Sequence, residues 1–202
     1  EDTVLFAQGS LAFTGNLNFY MAMLCTGQTI VSTMTFQPRK WLEQIVKYGV
    51  NYLYLIPAKV RALRQAYESA QRKNLYTPGA IQIRHMIAGS QSMGQADADA
   101  MRQLFPGIKI ILYYGSSEYS YITWVKDGEM NERQNLIGKP CPGVQVWLEN
   151  GEIMVQTPCC VIGKQKSGAT GDLGSMDLTG NFYFEGRKDD IFNINGRKIC
   201  AL

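Results

Sequence analysis

The sequence predicts an α/β fold that passes into a β-rich subdomain, and three observations predict it. Before residue 106, apolar residues recur at helical spacing in several stretches, with short apolar runs of strand length between them. Pro38 and Pro57 stand where helices would begin, since the first helical position needs no N–H and its φ suits a proline ring. Near residue 127 the long helical patterns stop, and turn residues then punctuate short strand-like runs.

Taken in order, Pro38 opens a helix whose apolar face is Trp41, Leu42, Ile45 and Val46, and Gly49 is placed to end it. Residues 50–56 read as a strand. Pro57 opens a second amphipathic helix through Val60, Leu63 and Tyr67, followed by a polar connection over 72–79 and a strand over 85–88. Residues 95–105 form a third helix, and 108–113 a short apolar strand closed by Gly115-Ser116-Ser117. Strand, helix and strand at this spacing imply parallel pairing through helical crossovers. Beyond residue 127, strands are expected over 145–148, 153–156 and 181–185, with Glu149-Asn150-Gly151 as a hairpin turn. A small antiparallel barrel or sandwich fits them. Residues 163–171 contain glycine and lysine, but Gly168 is followed by Ala169-Thr170 where a phosphate-binding P-loop needs Lys-Ser/Thr, so a mobile surface loop is expected.

The 202 residues suffice for one domain or two small ones with a sizeable core. An apolar fraction of 46%, with eleven Tyr, eight Phe and three Trp, argues against disorder, and no apolar run is long enough to span a bilayer. A net charge of +3 without a basic stripe supplies no case for nucleic acid as the partner. Cys25, Cys141, Cys159, Cys160 and Cys200 show no CxxC spacing and sit mostly among apolar neighbours, which predicts reduced, buried thiols in a cytoplasmic protein. The sole histidine, His85, reads as structural. The chain starts without a methionine and ends just after an apolar Ile199-Cys200-Ala201 run, so both ends read as cut.

Two constellations carry chemistry. Tyr113-Tyr114-Gly115-Ser116-Ser117-Glu118 closes an expected strand at the edge where parallel sheets bind ligands. An aromatic face stacks on a base, a glycine admits close approach, a hydroxyl meets a phosphate oxygen and a carboxylate holds Mg²⁺. A tyrosine-rich strand closed by a polar turn explains the same residues without a ligand. The second constellation is Thr170-Gly171-Asp172-Leu173-Gly174, then residues 181–190, then Asn195-Gly196-Arg197-Lys198. An ionised Asp has acceptor sites for both hydroxyls of a ribose, and a guanidinium donates to the same sugar. A hairpin with a solvated charged end is the plainer alternative.

In order and separation, these stretches resemble the adenylate-forming superfamily of acyl-CoA synthetases, adenylation domains and luciferases. Residues 114–118 resemble its YGxTE motif with Ser117 for Thr, residues 170–172 its TGD motif and residues 186–190 its GRxDD element. Residues 137–144 resemble its GxPxPG segment, 150–153 its GEI segment, 87–93 its glycine-rich adenine loop and 55–57 its VPT segment. The texture is more similar to an AMP-binding acid–CoA ligase than to a peptide-synthetase domain. The resemblance implies part of a mixed α/β sandwich layer followed by a small antiparallel barrel-like unit. It divides the chain into a nucleotide- and acyl-binding part over 1–127, a β-rich subdomain over 128–186 and a hinge over 187–202.

It further implies ATP-dependent activation of a carboxylic acid, fatty or aryl, to an acyl-adenylate and then to a thioester of coenzyme A, with release of AMP and pyrophosphate. Tyr114 would stack on adenine with Gly89, Ser90 and Gln91 along the base, and Gly115 would let the backbone approach. Ser117 would contact the α-phosphate, Glu118 would help hold Mg²⁺, Asp172 would grip the ribose and Arg187 would assist it. Asp189 falls at the pivot between two catalytic conformations, Gly196 beside the pantetheine tunnel, and Lys198 near the phosphate where the family often has arginine. The family's Ser/Thr/Gly-rich phosphate loop and its lysine-bearing C-terminal domain have no counterpart in these residues, so the chain alone is expected to be inactive. The family's acyl-site histidine has none either. Phe13, Leu17, Phe19, Tyr20 and Met23 would line an acid pocket or pack in the core, and their helical spacing favours the core. Two alternatives stand beside the CoA ligase: an enzyme loading a carrier protein's thiol, and a nucleotide- or acyl-binding homologue that has lost catalysis. A homodimer is left open.

Overall fold

The computed structural model describes residues 2–75, 81–89, 93–130, 132–133, 135–161, 163, 165–194 and 197–200, with 191–194 and 197–200 described by backbone alone. The chain divides into two compact units, Glu1–Leu112 and Tyr113–Leu202.

The first unit alternates strand and helix: β1 (Val4–Gln8), α1 (Thr14–Cys25), β2 (Thr29–Thr33), α2 (Pro38–Lys47), β3 (Tyr52–Tyr54), α3 (Pro57–Arg72), β4 (His85–Gly89) and α4 (Gln95–Leu104). The start of β5 (Lys109–Ser116) completes it. β1 pairs in parallel with β2 and β3, and β3 pairs in parallel with β4, as the helical crossovers require. Both expected prolines occupy the first turn of their helices. The faces of α2 and α3 that the spacing assigns to the core are buried through Trp41, Leu42 and Ile45, and through Val60, Leu63 and Tyr67. Trp41 of α2 meets Phe6 of β1 with ring centroids 6.2 Å apart, and Leu5, Phe6, Leu53 and Met86 on the strands are fully buried. Each such side chain contributes about 1.5–3 kcal/mol over an exposed one. Tyr67 stacks on Phe105, just past α4, with ring centroids 5.2 Å apart.

α1 departs from expectation. Its helical spacing is real, but Phe13 before it and Leu17 within it are exposed, and Asn16 is its buried residue. Phe19 does pack inward, against the Tyr54 ring with centroids 4.3 Å apart. The apolar side chains of this helix are spread around its circumference, so no single face claims them all for the unit's core.

The second unit is antiparallel. The end of β5 is followed by β6 (Ser120–Val125), β7 (Leu136–Pro140), β8 (Gln145–Glu149), β9 (Glu152–Gln156), β10 (Ser167–Met176) and β11 (Phe182–Arg187). The order is β6-β7-β11-β10-β9-β8, and the sheet curls so that Tyr119 and Ile122 pack with Val155 of β9, against Val144, Val146, Tyr114 and Cys160. The barrel-like curvature expected of the second half is thus realised. A 3₁₀ turn (Lys188–Asp190) leads into the hairpin of β12 (Ile191–Ile194) and β13 (Arg197–Cys200).

The structure corrects two further expectations. Residues 167–171 belong to β10, where Ser167, Gly168 and Ala169 pair with β9, and so are not a mobile loop. Gly168 is there for space, because a β-carbon on it would run into the Tyr119 hydroxyl. The cysteines are not a buried set: Cys25 and Cys159 are exposed, and Cys141 and Cys160 are half-buried. Burial pushes the Cys141 thiol up to about 11, so it stays protonated. The side chain of Cys200 lies outside the described residues.

Candidate functional site

The second unit gathers Tyr114, Asp172 and Arg187 around one buried carboxylate. Their placement follows from two irregularities in the sheet. On β10, Ala169 faces Met154 and Leu173 faces Glu152, so Thr170, Gly171 and Asp172 together lie opposite the single residue Ile153. Thr170 braces this bulge, because its Oγ1 donates to the Ile153 carbonyl at 2.8 Å and accepts the Asp172 N–H at 3.1 Å. Gly171 has φ +80°, a conformation that favours glycine. Thr-Gly-Asp is therefore a backbone device as well as a motif. On β11 the register also slips, as Gly186 faces Leu173 while Phe184 faces Gly174. Arg187 consequently comes directly opposite Asp172.

Asp172 is only 6% exposed. Its Oδ2 accepts the Tyr114 hydroxyl proton at 2.6 Å. Its Oδ1 lies 3.4 Å from Arg187 Nε, within ion-pair range, but is buried and accepts no hydrogen bond. Burial raises the Asp172 pKa; the Tyr114 hydrogen bond and the Arg187 charge oppose that, and Glu118 and Glu152 reinforce it. Burial also pushes the Tyr114 phenol up, as does its bond to the carboxylate, so it remains a donor. A buried carboxylate with one oxygen engaged and the other lacking a donor is costly, and a ligand hydroxyl would relieve the cost.

Gly115, Ser117 and Glu118 follow Tyr114 through the turn between β5 and β6. A β-carbon at Gly115 would collide with the Ser120 carbonyl oxygen, so the turn closes only around glycine. Ser116 Oγ accepts the Tyr119 N–H at 3.2 Å, and the Glu118 carbonyl accepts the Val161 N–H at 3.0 Å. This leaves the Ser117 and Glu118 side chains exposed, with the Glu118 charge felt at Asp172. Asp189 is exposed in the 3₁₀ turn, where its neighbour Lys188 donates to Glu152 Oε2 at 2.7 Å.

Gly89 is buried at the end of β4 in the first unit. Ser90, Gln91 and Gly196 lie outside the described residues, and Lys198 is described only by its backbone, opposite Asn193. Among the described residues, no three His, Cys, Asp or Glu converge as metal ligands, and no helix is long and apolar enough to cross a membrane. His85 stacks on Tyr52 with centroids 4.3 Å apart, which accounts for it structurally. Sequence reasoning missed the Thr170 brace and the Tyr114–Asp172 bond. The first had a signal, a threonine before Gly-Asp in a strand; the second joins residues 58 positions apart and had none.

The family described as AMP-binding enzyme matches residues 1–164. The uncharacterised acyl–CoA ligase YhfT of Bacillus subtilis is 23% identical over 98% of this chain and 43% of its own length. An L-proline–[L-prolyl-carrier protein] ligase of Pseudomonas fluorescens is 22% identical over 91% of this chain and 40% of its own. The chain thus spans about two fifths of these curated relatives' length. The structure of O-succinylbenzoate coenzyme A synthetase (MenE) from Bacillus subtilis, in complex with ATP and magnesium ion, superposes with a TM-score of 0.81 at 20% identity, covering 99% of this chain and 45% of that one.

Proposed function

Since the chain belongs to the AMP-binding enzyme family, we propose that it carries the nucleotide-recognition part of an enzyme that activates a carboxylic acid with ATP. In that reaction a carboxylate oxygen attacks the α-phosphorus, pyrophosphate leaves, and the acyl-adenylate passes its acyl group to a thiol. The observation that carries the reading is Asp172 Oδ1, a buried acceptor without a donor beside an aromatic ring and a guanidinium. It fits a ribose hydroxyl, with Asp172 gripping the sugar and Arg187 assisting.

The remaining roles follow the motifs. Tyr114 stacks on adenine, with Gly89, Ser90 and Gln91 along the base, and Ser117 meets the α-phosphate. Glu118 is the magnesium carboxylate; one protein carboxylate suits an ion that takes its other ligands from phosphate and water, and the ion would neutralise phosphate charge. Lys198 stands near the phosphate, Asp189 at the pivot and Gly196 by the pantetheine path. In this reading residues 1–127 bind nucleotide and acid, 128–186 form the β-rich subdomain and 187–202 the hinge. Preorganised charge facing the growing negative charge on phosphate oxygens is the main catalytic resource of such sites.

The thiol is coenzyme A in the first reading and the acid a fatty or aryl acid. The likeness to a prolyl-carrier ligase favours a second reading, in which a carrier protein's thiol is loaded. The test is carboxylate-dependent ATP–pyrophosphate exchange by the whole protein over acetate, fatty and aryl acids. Glu118→Gln and Asp172→Ala should each reduce it sharply, and near wild-type exchange in both would sink the assignment. Thioester on coenzyme A, against thioester only on an added carrier, separates the two acceptors. No exchange with any acid would instead point to a binding protein that has lost catalysis.

A further inference from the structure

The Tyr114 side chain does two separable things. Its ring packs against the cluster of Tyr119, Ile122 and Val155, which fixes it in the unit's core. Its hydroxyl projects from that anchored ring to Asp172 Oδ2 at 2.6 Å. The carboxylate has few other restraints. It rides on a three-residue bulge, its Oδ1 accepts no hydrogen bond, and Arg187 opposite is more than half exposed on a flexible stem. A carboxylate hydrogen-bonded through one oxygen loses its rotation about χ2, so the other oxygen is held in one direction. An acceptor fixed before the ligand arrives costs less to order on binding than one that must be collected from several rotamers.

We propose that the Tyr114 hydroxyl is the positioning group for sugar recognition: it clamps Asp172 through Oδ2 so that Oδ1 is presented to a ribose hydroxyl, and the pair selects ribose over deoxyribose as one unit. This rests on the nucleotide reading of the site. The ring supplies affinity for the base, whereas the hydroxyl acts through Asp172. Tyr114 is therefore a positioning residue for the sugar, and phenylalanine would leave the ring's contribution in place while releasing the carboxylate.

Calorimetric titration of the whole protein with AMP, 2′-deoxy-AMP and 3′-deoxy-AMP tests the clamp. Wild type should bind AMP about ten-fold more tightly than at least one deoxy form, the scale of a hydrogen bond to a charged group. In Tyr114→Phe the affinity for AMP should fall about ten-fold while that for the deoxy form stays near wild type, so that the ratio collapses. Asp172→Glu keeps the charge but displaces it from Tyr114, and should collapse the ratio too. The acid limb of AMP binding should also move to higher pH in Tyr114→Phe, because the lost hydrogen bond favoured the ionised carboxylate. If wild type discriminates and either variant discriminates equally well, the clamp is overturned while nucleotide binding stands. If wild type binds AMP and both deoxy forms equally, the clamp and the ribose role of Asp172 fail while nucleotide binding stands; if it binds none of the three, the nucleotide reading fails and the clamp with it.

Discussion

The carbonyl oxygen of Ser120 occupies the space that a β-carbon on Gly115 would need. Ser120 itself has φ +58°, so the backbone on both sides of the turn is held in tight conformations. Gly115→Ala should destabilise the protein by about 1–3 kcal/mol, since backbone, not a flexible side-chain end, has to move. Denaturant titration reads the loss. An unchanged midpoint would mean that the turn opens without cost.

Asp172 trades stability for binding. Burial raises its pKa, so the fold favours the protonated acid, and this contribution is lost as the pH rises through the folded value. At neutral pH the ionised group is a cost to the ligand-free protein. Asp172→Asn should therefore raise the thermal midpoint near pH 7, by about 2–4 °C for each kcal/mol relieved, while the affinity for AMP falls by about ten-fold. The gain should shrink as the pH falls towards the ordinary carboxyl value of 3.8.

Thr170 braces the bulge through one oxygen that donates to Ile153 and accepts from Asp172. Thr170→Val keeps the shape and removes both bonds, and should cost about 1–3 kcal/mol by chemical denaturation. Thr170→Ser should recover most of that. If the valine variant equals wild type, glycine alone suffices to form the bulge.

His85 titrates in the opposite sense to Asp172. Burial, then the charges of Lys109 and Arg84, hold its pKa below the ordinary 6.5, so the fold favours the neutral ring. That stability is complete above pH 6.5 and declines as the pH falls through the window down to the folded value. His85→Phe keeps an aromatic ring for the stack on Tyr52 and removes the titration. Its unfolding midpoint should fall less than that of wild type between about pH 7 and pH 5. Parallel curves would place the pH dependence elsewhere.

Arg187 contributes little to the fold despite facing Asp172. Its side chain is 56% exposed and its Nε stands 3.4 Å from the carboxylate, so Arg187→Gln should change stability by less than about 1 kcal/mol in denaturant. A larger loss would give the pair a structural role.

The parallel half of the fold was readable because local chemistry and periodicity agree there. Pro38 and Pro57 start α2 and α3, and the apolar faces they predict are the buried ones. The hairpin at Asn150-Gly151 was readable too, both residues having positive φ. β1 and β2 were not identified, and the exposure of α1's apolar residues runs against what their spacing favours. β10 was misread because Ser-Gly-Ala-Thr-Gly has the composition of a loop, and its bulge breaks the alternation that marks a strand. At the site, the motifs located Tyr114, Asp172 and Arg187 along the chain. Their convergence depends on register slips in β10 and β11, which no local pattern reports.

Those slips separate two kinds of constraint on β10. Residues 167–169 form rungs with β9, and a change there that weakens pairing is felt across the sheet. Thr170, Gly171 and Asp172 make no regular rung with β9, and are held instead by the Thr170 bond to Ile153 and by the pairing of Asp172 with Arg187 on β11. Intolerance at Asp172 to substitutions that leave the fold stable therefore reports on what the carboxylate binds, whereas intolerance three to five positions earlier reports on the barrel. The strand holds in ten residues a structural segment and a chemical one, divided at a single bulge.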